Sequence, residues 1–348
     1  MDPACGLNKE GETVKIQAYA ASGPGAPLEP FEYQPAPPNL EPTQVEISIS
    51  HCGMCHTDIH LWNNDWGFTQ YPMVPGHEIA GTVTEAGSLA KSFREGQRVG
   101  LGWESGSCGE CQYCRRGEEN VCLAWKGTCT HGYGGYASAI RADSRFVIPI
   151  PEGLDSEAAA PLLCGGITVY APLAQEVHPA MRVGVVGVGG LGHLAVQYAR
   201  AFGCEVAAFS TSPDKEAEAR RLGANRFINA REEGALEQAA NSCDFVISTV
   251  SADLDWAAYL NVLKPKGKLC VVGVPASELR LPAFPLIVGR KSVFGSPVGS
   301  PSLIREMLEF SARNGVLPVT ERFPMARVNE ALARLKANQA RYRIVLAN

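Results

Sequence analysis

No apolar run in this sequence reaches the roughly 18 residues that a membrane span requires. The first residues, Met1 to Thr13, lack the apolar core of a secretory signal. A cytoplasmic protein with no membrane partner is therefore expected. Positive charge is not in excess: 31 Lys and Arg stand against 36 Asp and Glu, a formal net charge of -5. Nothing global draws such a chain to nucleic acid or to an anionic lipid surface. Internal repeats and low-complexity tracts are absent as well, so no repeat architecture is expected.

What is present is ordinary globular composition, 45% hydrophobic and 19% charged over 348 residues, a length that predicts about two domains. There are 12 cysteines. Without a secretory signal these argue against a disulfide framework and for metal-binding or catalytic clusters in a reducing compartment.

The texture changes along the chain. After a loose leader over 1–12, alternation predicts strands over 14–20 and 45–50, separated by a Pro- and Gly-rich connection over 23–42 that cannot be helix interior. Short strand patterns recur at 81–86, 97–101 and 146–148, the mark of a β-rich domain. From about Asp155, helix-length segments alternate with apolar strands at 183–186, 206–209, 227–229, 245–249, 268–272 and 292–294. This is the βαβ signature of a parallel, doubly wound sheet. A helix over 302–314, an Ala-rich helix and a last strand over 342–346 read as a return to the first domain.

The run Val183-Gly-Val-Val-Gly187-Val-Gly189-Gly190-Leu191-Gly192-His comes off an apolar strand and opens a helix over 191–202. Glycines at these places allow a tight turn, close backbone approach to a pyrophosphate, and helix–strand packing. The helix N-terminus then offers unpaired N–H groups to the phosphates. At the end of the second strand an acid would accept the ribose hydroxyls of NAD. Here the chain reads Ser210-Thr211-Ser212-Pro213-Asp214-Lys215, and Asp214 begins the next helix. Hydroxyls and a lysine suit a 2′-phosphate, which favours NADP(H) over NAD. The same residues also read as a helix start, with Ser212 at the N-cap before Pro213.

Cys108, Cys111, Cys114 and Cys122 follow a C-x2-C-x2-C-x7-C spacing. Four thiolates close a tetrahedron around one Zn²⁺ and leave no place for substrate, which makes a site structural. An iron–sulfur cluster is the competing reading. A catalytic zinc instead needs three protein ligands and an open fourth position. The stretch His51-Cys52-Gly-Met-Cys55-His56-Thr57-Asp58-Ile-His60, the pair His77-Glu78, and Cys164 carry suitable groups, though their spacing alone does not join them.

In order, Cys-His-Thr-Asp, Gly-His-Glu, the four-cysteine lobe, Leu-Leu-Cys-Gly-Gly-Ile-Thr and Gly-x-Gly-Gly-Leu-Gly resemble the zinc-dependent medium-chain alcohol dehydrogenases. The resemblance is nearest to the cinnamyl alcohol dehydrogenase branch and its bacterial aldehyde-reductase relatives, and covers nearly all the chain after the leader. It implies an α/β protein: a discontinuous GroES-like β-barrel catalytic domain, 1–160 with 298–348, and a Rossmann domain over 161–297, with substrate in the cleft between. It implies two zincs per chain. Cys55, His77 and Cys164 would hold the catalytic one, with Glu78 able to approach it and Asp58 orienting the histidine. Thr57 would exchange a proton with substrate and pass it by way of the cofactor ribose to His60. Gly190, Leu191, Val274 and Arg343 would join the cofactor contacts. Cys5, Cys52, Cys129, Cys204, Cys243 and Cys270 read as small buried hydrophobes.

Trp62, Trp66, Trp103, Pro297 and Val298 would line an apolar pocket, although core or surface placement is an equal alternative. Trp103 stands where relatives often have a smaller residue, which argues against bulky phenylpropanoids as substrates. The function so implied is hydride transfer between NADP(H) and a primary alcohol or aldehyde of broad aromatic and aliphatic range. The rivals are an NAD-linked enzyme of the same fold, a non-catalytic NADP-sensing protein, and zinc-finger nucleic-acid binding, against which the acidic balance counts. The family is commonly dimeric, and residues 291–298 could form a pairing edge.

Overall fold

The computed structural model describes residues 15–275 and 277–348. The leader, and Cys5 within it, lies outside the described residues. The chain divides into two compact units. One comprises the described residues through Cys164 with Gly299–Arg313 and Pro318–Asn348; the other is Gly165–Val298 with Asn314–Leu317.

The first unit is built on a seven-stranded sheet, mostly antiparallel. Its longest strand, Gln44–Met54, pairs on one side with Glu78–Ala86 and on the other with the C-terminal strand Arg343–Ala347. Val45, Ile47 and Ile49 alternate inward from it, as a half-buried strand requires. Arg-Ile-Val-Leu-Ala is buried at every position, so the tail is a core strand and not an appendage. Its register sets Ile344 against Met54, which brings Arg343 beside the segment that starts at Cys55. A strand over Glu29–Tyr33 occupies the proline-rich connection, where no alternating pattern predicts one; it pairs with Ile16–Ala20.

The second unit holds a six-stranded, all-parallel sheet. The spatial order is Arg226–Asn229, Glu205–Ser210, Arg182–Val186, Cys243–Ser248, Leu263–Val271, Ser292–Gly295. Numbered along the chain this is 3-2-1-4-5-6, the doubly wound order. All six strands fall where the apolar runs predicted them.

One expectation is corrected. Helical residues run without a break over Ser156–Glu176, 21 residues long and apolar enough by composition to cross a membrane. The sequence hid this length because Pro161, Gly165 and Gly166 interrupt the pattern. The run is core helix, with 89% of its most apolar window buried inside the protein. It passes through a π-helical turn at Leu162–Gly166, between helices Ser156–Pro161 and Ile167–Glu176.

Candidate metal centres and dinucleotide loop

Cys55 is the N-cap of the helix His56–Asn63. Asp58, at the third helical position, reaches back and accepts the Cys55 backbone N–H at 2.9 Å, closing a capping box. The same carboxylate accepts the Gly76 N–H at 3.0 Å and the His77 Nδ1–H at 3.1 Å. Gly76 sits at φ +100°, and a Cβ there would strike the Tyr136 ring at 2.6 Å, so only glycine fits. One buried acid thus ends a helix, fixes a loop and fixes a histidine.

Cys164 comes from the π-helical turn, a local irregularity that often marks a functional position. Its Sγ lies 4.0 Å from Cys55 Sγ. The ligand atoms of Cys55, His77, Glu78 and Cys164 all fall within 4.8 Å of one another. His77 Nε2 is buried and has no hydrogen-bond partner. A buried imidazole nitrogen without a partner, beside two thiols, is a donor set that fits a metal ion. The Cys164 thiol holds the Cys55 thiol well below its ordinary range against the opposing effect of burial, so the pair favours a thiolate. Burial pushes the Glu78 carboxyl up to about 7, although Arg343 opposes this. The Arg343 guanidinium donates to Glu78 Oε1, and both side chains are buried. Arg343 thereby lies against the Glu78 side of this group.

Thr57 and His60 lie three residues apart on the helix His56–Asn63 and so share a face. His60 Nδ1 is 2.8 Å from Asp65 Oδ2, and its ring stacks on Trp66 at 5.3 Å. That partner was missed in the sequence, although Asp65 lies just past the helix end. The Trp103 ring meets His77 edge-on at 5.2 Å. Trp62 packs on the core of the first unit and donates to the Ala26 carbonyl at 2.6 Å, so it takes the core alternative. Pro297 is exposed and Val298 half-buried. Cys129 is buried with Leu61 and Met73, as a small hydrophobe would be, yet its Sγ also lies within 4.8 Å of ligand atoms of Asp58 and His77. Cys52, Cys204, Cys243 and Cys270 are buried.

The second cluster is closed. Sulfur–sulfur distances are 3.8 Å for Cys108–Cys114, 3.6 Å for Cys111–Cys114, 3.9 Å for Cys111–Cys122 and 3.6 Å for Cys122–Cys108. Zn–S arms of about 2.3 Å in a tetrahedron give edges of about 3.8 Å. The four thiols are thus spaced for one zinc, and a cluster of several irons would hold them farther apart. Backbone N–H groups of Glu110 and Cys111 hold the Cys108 thiol down at about 6, which suits a metal thiolate.

In the second unit, the loop between Arg182–Val186 and the helix Gly192–Ala201 has Gly187 at φ +87°. A Cβ on Gly192 would lie 1.7 Å from the Gly187 carbonyl oxygen, so helix and strand meet too closely for any side chain. A Cβ on Gly189 would meet nothing within 4 Å, which leaves its backbone open to a ligand. Gly190 and Leu191 complete the turn, with Leu191 at the N-cap. A cavity of about 180 Å³ runs from Gly187 to Gly189 and on to Ser210, Thr211, Ser212 and Lys215. Ser210 Oγ accepts the Ser212 N–H at 3.1 Å, and Lys215 Nζ donates to the Val188 carbonyl at 2.8 Å. Ser212 stands at the N-cap of the turn Pro213–Lys215 but makes no side-chain cap bond, so its hydroxyl is not used as a cap. Val274 is 58% exposed beyond the strand Leu263–Val271.

A closed Cys₄ set, an open Cys₂His set and a glycine loop on a doubly wound sheet define a zinc-binding dehydrogenase. Residues 41–152 match the alcohol dehydrogenase GroES-like domain family and residues 190–313 the zinc-binding dehydrogenase family. The chain belongs to the zinc-dependent medium-chain alcohol dehydrogenases, in their cinnamyl alcohol dehydrogenase-like branch. It is 44% identical to the aldehyde reductase AdhA of Synechocystis sp. over 96% of this chain and 99% of that one. It superimposes with a TM-score of 0.92 on a cinnamyl alcohol dehydrogenase from Sorghum bicolor, at 40% identity, covering 96% of this chain and 98% of that one. The CAD of Helicobacter pylori complexed with NADP(H) gives a TM-score of 0.88 at 32% identity, covering 96% and 98%. Cys₂His is the donor set that alcohol dehydrogenases use for catalytic zinc.

Proposed function

We propose that the chain is an NADP(H)-dependent alcohol dehydrogenase that works chiefly as an aldehyde reductase on aromatic and aliphatic substrates. The observation that carries this reading is the buried, unpartnered His77 Nε2 beside the Cys55 and Cys164 thiols. Zinc held there by Cys55, His77 and Cys164 would supply Lewis acidity toward the alcohol or carbonyl oxygen, and the cofactor would give the hydride in aldehyde reduction and take it in alcohol oxidation.

The chain's own residues do the rest. Asp58 fixes the tautomer and direction of His77, so that Nε2 and not Nδ1 is offered. Thr57 Oγ1 exchanges the hydroxyl proton of the substrate. His60, whose Nδ1 is engaged by Asp65, carries that proton on Nε2 toward solvent. Trp103, edge-on to His77, excludes water and narrows the substrate space. Gly187, Gly189 and Gly192 admit the pyrophosphate, and Ser210, Thr211, Ser212 and Lys215 receive the 2′-phosphate. Cys108, Cys111, Cys114 and Cys122 hold a structural zinc that staples a loop with no core of its own.

A homodimer is part of this reading. The strand Ser292–Gly295 is one of the two edges of the parallel sheet, and the helix Ala283–Gly289 before it exposes Phe284, Ile287 and Val288. The cysteines among the described residues are all free thiols, which suits the reducing cytoplasm.

Initial rates of NADPH and NADH oxidation over a panel of aliphatic and aromatic aldehydes test the proposal. Fast turnover with NADPH and slow turnover with NADH is the expected result. Preference for NADH would remove the phosphate-pocket reading, and no turnover with either would favour a non-catalytic NADP-binding protein.

A further inference from the structure

Asp58 is wholly buried, and each of its oxygens accepts two hydrogen bonds. Oδ1 takes Gly76 N–H and His77 Nδ1–H. Oδ2 takes Cys55 N–H and, at 3.2 Å, the Tyr136 hydroxyl. The acceptor capacity of a carboxylate is then filled. Three of these donors belong to the segments that carry the metal ligands. Only Tyr136 comes from elsewhere.

Tyr136 is itself firmly held. It is 0% exposed, its N–H donates to the Pro75 carbonyl at 2.9 Å, and its own carbonyl accepts Tyr19 N–H at 2.9 Å. Its ring occupies the space that a side chain at Gly76 would need. The ring thus backs the loop before His77, while the hydroxyl grips the acid behind His77. Burial, with the Asp58 carboxylate beside it, pushes the phenol well above its ordinary range, so it remains a donor.

We propose that Tyr136 is a positioning residue of the open metal site, whose hydroxyl anchors Asp58 to the surrounding fold so that His77 Nε2 stays aimed at the metal. The inference rests on the reading of Cys55, His77 and Cys164 as that site. Without the hydroxyl, Oδ2 keeps a single donor, and that donor moves with the Cys55 segment it should hold in place. The carboxylate then gains freedom to rotate. It also becomes the stronger acceptor for the imidazole proton, which makes His77 the stronger electron donor and the metal the weaker acid.

The test compares Tyr136→Phe with the parent protein. Phenylalanine keeps the ring beside Gly76 and so keeps the fold. Loss of the more labile metal to a chelator is expected to accelerate about tenfold, with release from the four-thiolate site unchanged. The visible absorption bands of protein carrying cobalt in the open site should shift. The apparent pKa of alcohol oxidation should rise. In an Asp58→Asn background the same substitution should add less than about twofold, because its route through the carboxylate is already cut.

A parent that binds two metals, with chelator release, cobalt spectrum and pH profile all unchanged in Tyr136→Phe, would overturn the inference alone. Effects that simply multiply in the Asp58→Asn background would also overturn it. A parent that binds metal only at the four thiols would overturn the reading of the open site, and this inference with it.

Discussion

Asp58 Oδ1 accepts the His77 Nδ1–H at 3.1 Å, and neither side chain has any exposed surface. A carboxylate has no proton to give, so Nδ1 must carry one, and Nε2 is the nitrogen that gives its lone pair to a metal when the ring is neutral. The pair therefore decides which face of the imidazole a metal meets. Because Asp58 also caps the helix that begins at Cys55, one side chain sets the relative placement of two metal-binding segments.

Asp58→Asn should lower the affinity of the open site for zinc by about 10–100-fold. The amide is nearly isosteric but no longer attracts the imidazole proton as a charge. Competition with a chromophoric chelator measures this directly. Zinc at Cys108, Cys111, Cys114 and Cys122 serves as the internal control and should be unchanged.

Cys111→Ser should open the closed tetrahedron. Cys111 Sγ lies 3.6 Å from Cys114 Sγ and 3.9 Å from Cys122 Sγ, so its loss removes one vertex shared by both contacts. Metal content should fall by one per chain. A loss of several kcal/mol would lower the thermal midpoint by on the order of 10 °C. Calorimetry with parallel metal analysis checks both outcomes.

The closed site and the sheets were the parts most legible in the sequence. Cysteine spacing within 108–122 is local, and the apolar runs of the parallel strands are continuous, so both signals survive without tertiary information. The open site was legible only by resemblance. Cys55, His77 and Cys164 come from a helix cap, a loop and a π-helical turn, and no local period links them. Tyr136 and Arg343 carry no sequence signal for their partners, because the first reaches Asp58 across 78 positions and the second reaches Glu78 across 265. The strand Glu29–Tyr33 was hidden by prolines that flank it and one that it contains.

Ser212→Asp should move the cofactor preference. A carboxylate there would repel the 2′-phosphate of NADPH and accept hydrogen bonds from the ribose of NADH. KM for NADPH should rise at least about tenfold, roughly 1.4 kcal/mol of lost binding. KM for NADH should stay level or fall. Steady-state kinetics with a single aldehyde at saturation reads the split.

Glu104 makes stability depend on pH. Burial, with Glu119 adding to it, pushes its carboxyl from 4.5 up to about 8. Between those values the folded chain holds a proton that the unfolded chain has released. Stability contributed at this position therefore falls as pH rises from 4.5 to about 8, and no penalty exists below that window. Glu104→Gln should remove the slope: more stable than the parent at pH 8, and converging with it below pH 4.5. Denaturant unfolding at several pH values measures the difference.

The most direct test of the central claim is the rate of aldehyde reduction with NADPH and with NADH on two preparations. One carries zinc at both sites, and the other has been stripped by mild chelation of all but the four-thiolate zinc. The account predicts rapid NADPH-linked reduction by the first, little by the second, restoration on returning zinc, and slow NADH-linked rates throughout. Equal activity in the two preparations, or a preference for NADH, would contradict it.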